Sequence, residues 1–323
     1  MRPQYLLSLL LPLVAIAGNL GYAWPGAGIV LALVAYPLLD LLLGESKAPP
    51  PTAASPHFFD AILYAHVALQ FAAVGSLLWL ASGTGALTLE LALATGSTGI
   101  SSGISGIVVA HELVHRPRRW ERALARALLW SVSYLHFETE HVHGHHRTVG
   151  TDADPASAPA AMGLWWFVLR TVPGQFASAW RIAAQRSGSG WRHTAAAGLL
   201  VSVATLAAIG ALLGPVAAAL FAAQSLVAIE LLEYVNYVRH WGLRRQPGER
   251  VAAHHSWQSD ARLSRWVLVE LTRHPEHHLT ASRPYHQLRS LPDAPQLPTG
   301  YFGCFWLALL PPVWKRVMMP RLP

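Results

Sequence analysis

Charge is scarce in this sequence. Asp, Glu, Lys and Arg make up only 13% of the 323 residues, about half of what a soluble domain carries, roughly 25%. With 53% hydrophobic residues, such a chain is solvated partly by lipid. Cysteine is scarcer still: Cys304 stands alone. That excludes an internal disulfide, a paired-cysteine redox motif and a four-cysteine iron site. An electron carrier built on thiolates has to be a separate protein. Lysine occurs only at Lys47 and Lys315, so the excess of 24 basic over 17 acidic residues is almost entirely arginine. These arginines lie beside apolar stretches and do not form a free basic domain. They therefore read as a positive-inside membrane signal rather than as a nucleic-acid surface.

What the sequence has in abundance is apolar runs and histidine. The runs predict six transmembrane helices, at approximately 5–22, 28–43, 59–81, 86–110, 193–212 and 215–235. Each is near the ~20 residues that cross the hydrocarbon core. The first run is read as a span, because a second follows at once and no small-x-small cleavage site separates them. The turns after the first, third and fifth runs carry no Lys or Arg, whereas Lys47, Arg116, Arg118, Arg119, Arg122, Arg244 and Arg245 follow the others. Both termini and the large loops are thus expected on the cytoplasmic side of a multi-pass inner-membrane protein.

Residues 163–192 interleave Trp165, Trp166, Trp180 and Trp191 with arginines, the pattern of an interfacial helix. Residues 236–300 form a histidine-rich cytoplasmic region, and 301–312 are apolar but too short to span. Gly96, Gly99, Gly103 and Gly106 recur at steps of three and four, as a closely packed helix face does. The expected fold is a single all-α membrane domain, 1–323, with a cytoplasmic histidine-rich helical cap.

The 17 histidines are not scattered. His111 and His115 are four apart at the end of the fourth run, within ~40° on a helix. His141 and His145 have the same spacing, and His146 lies ~100° further round, so this segment is expected to give two ligands to one ion and a third to a neighbour. His274, His277 and His278 share one face, with Pro275 tolerated in a first turn. His240 lies at the same predicted membrane side. These nine exceed the ligands one ion takes and suit two ions with open positions. Imidazole ligation without thiolate fits Fe, Zn, Cu or Ni. Glu112, Glu138, Glu140, Glu233 and Glu276 are the expected carboxylate partners of ligating imidazoles. His136, His143, His254, His255 and His286 are read as structural or supporting. Asp40, Glu90 and Glu230 fall within the runs, where structural pairing accounts for them.

The boxes themselves resemble a known family. HELVH at 111–115, YLHFETEHVHGHH at 134–146, DPAS at 154–157, NYVRHWGL at 236–243, HSWQS at 255–259 and RHPEHH at 273–278 are similar to those of the membrane-bound non-haem di-iron alkane monooxygenases, within the fatty-acid desaturase and hydroxylase superfamily. The 236–243 block points to that branch, although Arg239 stands where an acidic residue is usual, Trp241 for Tyr and Thr272 for Gln. The resemblance implies two non-haem iron ions on the nine histidines, with O₂ as co-substrate. It also implies terminal hydroxylation of an alkane or alkyl chain, and electrons from a rubredoxin or ferredoxin-type carrier and its reductase. It equally covers desaturation or hydroxylation of other lipids and alkyl aromatics. An intramembrane zinc protease, read from His111, Glu112 and His115, explains two of the nine histidines. A metal transporter or haem-binding membrane protein would carry its ligands inside the spans.

Overall fold

Apolar helices follow one another along the chain because its apolar runs leave backbone groups no partner but each other in lipid. The computed structural model describes residues 3–48, 55–83, 85–246 and 248–323. Helical stretches α1 (Pro3–Asn19) and α2 (Ala27–Leu43) are followed by α3 (Pro56–Ala81) and α4 (Leu89–Val114). Next come the amphipathic α5 (Arg119–Trp130), the short α6 (137–148) and α7 (Leu164–Ser187). The hairpin α8 (Thr194–Leu213) and α9 (Pro215–His240) comes after it. Small helices α10 (Arg262–Val267), α11 (His274–Leu279), α12 (Tyr301–Ala308) and α13 (Pro311–Met318) complete the order. Among the described residues β pairing is limited to two isolated bridges, Glu45 with Ala261 and Gln258 with Gln296.

Helices stand at all six predicted span positions. Four of them, α3, α4, α8 and α9, are long and apolar enough to cross a membrane, while α1 and α2 are shorter. Part of the loop between α2 and α3, residues 49–54, lies outside the described residues. Two boundaries move: α4 continues through His111 to Val114 and α9 through Arg239 to His240. Polar residues ended the hydropathy signal there, but these side chains are buried against protein, so the helices continue. The predicted helical cap at 236–300 is mostly irregular chain with the six-residue α10 and α11. Pro284, Pro292, Pro295 and Pro298 remove the N–H groups that a longer helix needs.

The helices differ sharply in what they face. The outward residues of α8, including Leu200, Val203 and Leu212, are exposed, as a lipid-facing helix requires. The middle of α4 is buried and packs against three neighbours. A Cβ added to Gly99 would lie 2.7 Å from Val227 Cβ of α9, one at Gly96 3.0 Å from Ile29 of α2, and one at Gly106 3.0 Å from Gln70 of α3. The glycines thus serve three contacts rather than one common face. Between the helices, Gln70 donates to Ser102 and Ser131 at 2.9 and 3.0 Å, and Ser102 donates to Gln224. Polar side chains paired in this way hold membrane helices together.

The membrane-side helices are tied to the region beyond them. Asp40 of α2 accepts from Ser264 N–H at 2.8 Å and from its hydroxyl at 2.5 Å. Tyr5 donates to Glu270, which also pairs with Arg265 at 2.8 Å. Asp40 is therefore a structural anchor, as expected. Glu90 instead sits exposed in the first turn of α4, after the Thr88 cap, where the helix dipole favours a carboxylate. On α7 an inner face of Phe167, Thr171, Gln175 and Ser178 is buried, and Trp165, Trp166 and Leu169 face outward. One hydrophobic cluster joins side chains from Tyr5 to Met318.

Candidate metal centre

Four backbone pieces bring the nine histidines together: the end of α4, the whole of α6, the last turn of α9, and α11. In α11, Pro275 occupies the first turn. In α6, residues 141–145 form a π-helical turn, wider than an α-turn and frequent at functional sites. Its wider pitch brings positions five apart onto one side. The Nε2 atoms of His141 and His146 lie 3.0 Å apart, and His145 turns away toward a different group.

Two groups of four result. His111, His115, His141 and His277 form one, and His145, His240, His274 and His278 the other. Within each, the candidate ligand atoms lie within 4.8 Å of one another. His146 joins the first, its Nε2 3.0 Å from His141 Nε2 and 3.2 Å from His277 Nε2. The pairing expected from α-helical spacing, His141 with His145 on one ion, is therefore corrected by the π-turn.

The donors suit a metal. The Nε2 atoms of His111, His145 and His240 are buried without a hydrogen-bond partner, a costly arrangement unless something else binds them. Elsewhere like nitrogens crowd together, with His115 Nε2 3.0 Å from His141 Nε2 and His278 Nε2 2.8 Å from His274 Nε2. Burial holds His115 down at about 4 and His146 at about 2, and pushes His141, His277 and His278 well below the usual histidine range. Near neutral pH they are free-base imidazoles, the form that ligates.

The rear nitrogens show what orients these rings. His145 Nδ1 donates to Asp154 Oδ2 at 3.0 Å, which Ser157 also bonds at 2.7 Å. His240 Nδ1 donates to the carbonyl of His255 at 3.3 Å. His274 differs: its Nδ1 accepts from the Arg239 guanidinium at 3.1 Å, which keeps the ring proton on Nε2, so His274 can ligate through Nε2 only once that contact is given up. None of the five predicted carboxylate partners does this work. Glu112 pairs with Arg116 at 2.9 Å and accepts the Tyr285 N–H. Glu138 pairs with Arg126, and Glu276 with Arg283 and Arg289. Glu233 accepts from Tyr134, Gln175 and Asn236. Glu140 packs against Gly144, its carboxyl pushed well up by burial and then by the nearby Asp154 and Glu233 charges. Cations and donors nearer in space capture these groups. Asp154 was missed as a partner, and the DPAS block was the signal that pointed to it.

The remaining histidines have other surroundings. His136 lies edge-on to Tyr134 and Phe176. His143 is partly exposed. His286 stacks on Phe59 with ring centroids 4.3 Å apart. Glu249, His254 and His255 also converge. There the Ala252 N–H donates to His255 Nδ1 at 3.0 Å, which leaves the ring proton on Nε2, facing Glu249 at 3.5 Å. That Nε2 is buried without a hydrogen-bond partner, and Glu249 is exposed.

A narrow cavity of about 50 Å³ between α2, α4, α9 and α12 reaches the centre. Ile100, Ile104, Leu231 and Phe305 line its length, and His111 and Arg239 its inner end.

Spans that can cross a membrane, histidine clusters able to hold metal and an apolar cavity that reaches one of them define a membrane protein with a candidate metal centre. The fatty acid desaturase family model matches residues 84–308. The chain is 36% identical to alkane 1-monooxygenase 1 of Pseudomonas aeruginosa, over 93% of this chain and 83% of that protein. It is 32% identical to alkane 1-monooxygenase 1 of Alcanivorax borkumensis, over 99% and 85%. The xylene/toluene monooxygenase hydroxylase component XylM of Pseudomonas putida matches at 28% over 97% and 88%. The chain belongs to the alkane 1-monooxygenase family, within the fatty acid desaturase superfamily.

Proposed function

We propose that this protein is a multi-pass membrane monooxygenase that hydroxylates the terminal carbon of an alkane or alkyl chain lying in the cavity. The observation that carries this reading is that the apolar cavity ends on His111, a member of the first histidine group. His111, His115, His141, His146 and His277 are proposed to hold one iron ion, and His145, His240, His274 and His278 the other. Iron held there would supply the redox chemistry for O₂-dependent hydroxylation, in which two electrons and two protons are consumed, one oxygen atom enters the C–H bond and the other leaves as water.

The chain's own residues do the rest. Ile100, Ile104, Leu231 and Phe305 exclude water and keep a hydrocarbon chain extended toward His111. Asp154 fixes the proton of His145 on Nδ1 and leaves Nε2 free. Arg147, exposed directly after His146, lines an open groove with Arg244 and Arg245. Charge complementarity suits that groove to an acidic electron carrier of the rubredoxin or ferredoxin type. We place α1 and α2 as the fifth and sixth spans of one domain, and α7 at the membrane interface. Both termini and the metal centre face the cytoplasm of an inner membrane, in accord with the arginine distribution.

The test is oxidation of a panel of alkanes, fatty acids and alkyl aromatics by purified protein supplied with a rubredoxin and its reductase, beside metal analysis. Primary alcohol and an iron content of two per chain are expected. An alkene without alcohol would sink the hydroxylase reading, and zinc without iron would sink the centre.

A further inference from the structure

The cavity is apolar along its length and polar at one end. That end holds Arg239 and Tyr301, both buried to about 1% exposure. A guanidinium has five N–H donors and no acceptor. Arg239 spends three of them: on Asn236 Oδ1 at 2.7 Å, His274 Nδ1 at 3.1 Å and the Val235 carbonyl at 3.2 Å. All three acceptors are uncharged. Among the described residues no carboxylate pairs with Arg239; Glu233 is bonded to the far side of Asn236. A buried cation without a counter-charge is costly. The Tyr301 hydroxyl is likewise buried without a hydrogen-bond partner.

We infer that Arg239 and Tyr301 form a carboxylate-binding end of the cavity, which takes a straight-chain fatty acid head-first with its tail along Ile104 and Leu231. Two spare guanidinium N–H groups and the phenol O–H supply donors to the two carboxylate oxygens, and charge-assisted bonds of this kind are the strong ones. A fatty carboxylate then occupies the space of the alkyl substrate and competes with it. This inference rests on the reading of the cavity as the substrate site.

The experiment measures binding of labelled decanoate, 1-decanol and decane to the full-length protein in detergent, both iron-loaded and metal-free. Decanoate is expected to bind about tenfold more tightly than 1-decanol, the worth of a charge-assisted hydrogen bond. It is expected to do so in the metal-free protein too, and to inhibit decane oxidation competitively. Tyr301→Phe, which removes one hydroxyl, is expected to weaken decanoate severalfold without shifting the melting temperature. Arg239→Gln is expected to lose the preference for the acid, and Arg239→Lys to keep part of it. Equal affinity for acid and alcohol, binding of the acid only when metal is present, or decanoate affinity unmoved by Tyr301→Phe would each overturn the inference. The two readings fail separately. Decane oxidation indifferent to saturating decanoate defeats this one alone, and tight decanoate binding without any hydroxylation defeats the proposed activity alone.

Discussion

The two histidine groups are built by different means. In the group of His145, His240, His274 and His278, two rings are held from behind by hydrogen bonds that fix the proton on Nδ1, His145 by Asp154 and His240 by the His255 carbonyl. The group of His111, His115, His141, His146 and His277 is held by ring packing: His141 stacks on Phe137 with centroids 4.8 Å apart and planes 11° apart. It also packs against His111 at 4.5 Å. Hydrogen bonds fix both the tilt of an imidazole and which nitrogen carries the proton. Stacking fixes tilt and leaves the proton free. The cavity ends on the stacked group, so the group nearest the substrate has the softer support.

Removing a ligand should have the largest effect and should separate the groups. His277→Ala and His145→Ala are each expected to abolish hydroxylation while protein still inserts in the membrane. Each should lose a different one of the two ions, because the groups share no side chain. Full turnover by either variant would defeat the ligand assignment, and loss of both ions from a single substitution would show that the groups do not load independently.

Next in size is Asp154→Asn. The substitution keeps shape but removes the negative charge that His145 Nδ1 faces, and losses of such partners cost about 10–100-fold in metal affinity or activity. Iron titration should show one weakened site and one unchanged. Phe137→Leu should act on the opposite group and less strongly. It removes a stacked ring, an effect of about 0.5–1.5 kcal/mol beyond burial, so a severalfold weaker first site is the expected readout. Equal weakening of both sites by either variant would erase the distinction between hydrogen-bonded and stacked support.

Much of this architecture was legible in the sequence. Eight of the nine proposed ligands stand in boxes at helical spacing, with His240 alone, and helices occupy each predicted span. Three things were not legible, for physical reasons. The partition of His141 from His145 depends on a π-turn, which no residue pattern announces. The carboxylates nearest in sequence were assigned to the histidines, yet Glu112 and Glu276 are drawn to Arg116, Arg283 and Arg289, charges that outbid a neutral ring. Asp154 reaches His145 because 149–157 folds back, with Ser157 bonding both the Gly150 N–H and Asp154, a loop geometry without periodicity. The extension of α9 to His240 was hidden because a buried arginine looks like a span end.

The smallest effect concerns a histidine outside both groups. His286 stacks on Phe59, and burial, then the Arg116 charge, lowers it from 6.5 to about 4. The unfolded chain therefore binds more protons than the folded one between those values, and stability rises with pH across that window. Above pH 6.5 both forms are neutral and the dependence from this residue vanishes. His286→Phe keeps a ring against Phe59 and removes the titration. Melting temperatures of metal-free protein measured from pH 4 to 7 should therefore fall less steeply on acidification in the variant, with the two curves meeting near neutrality. Parallel curves would show that acid sensitivity comes from the two ligand groups alone, and that the ring on Phe59 is not among its sources.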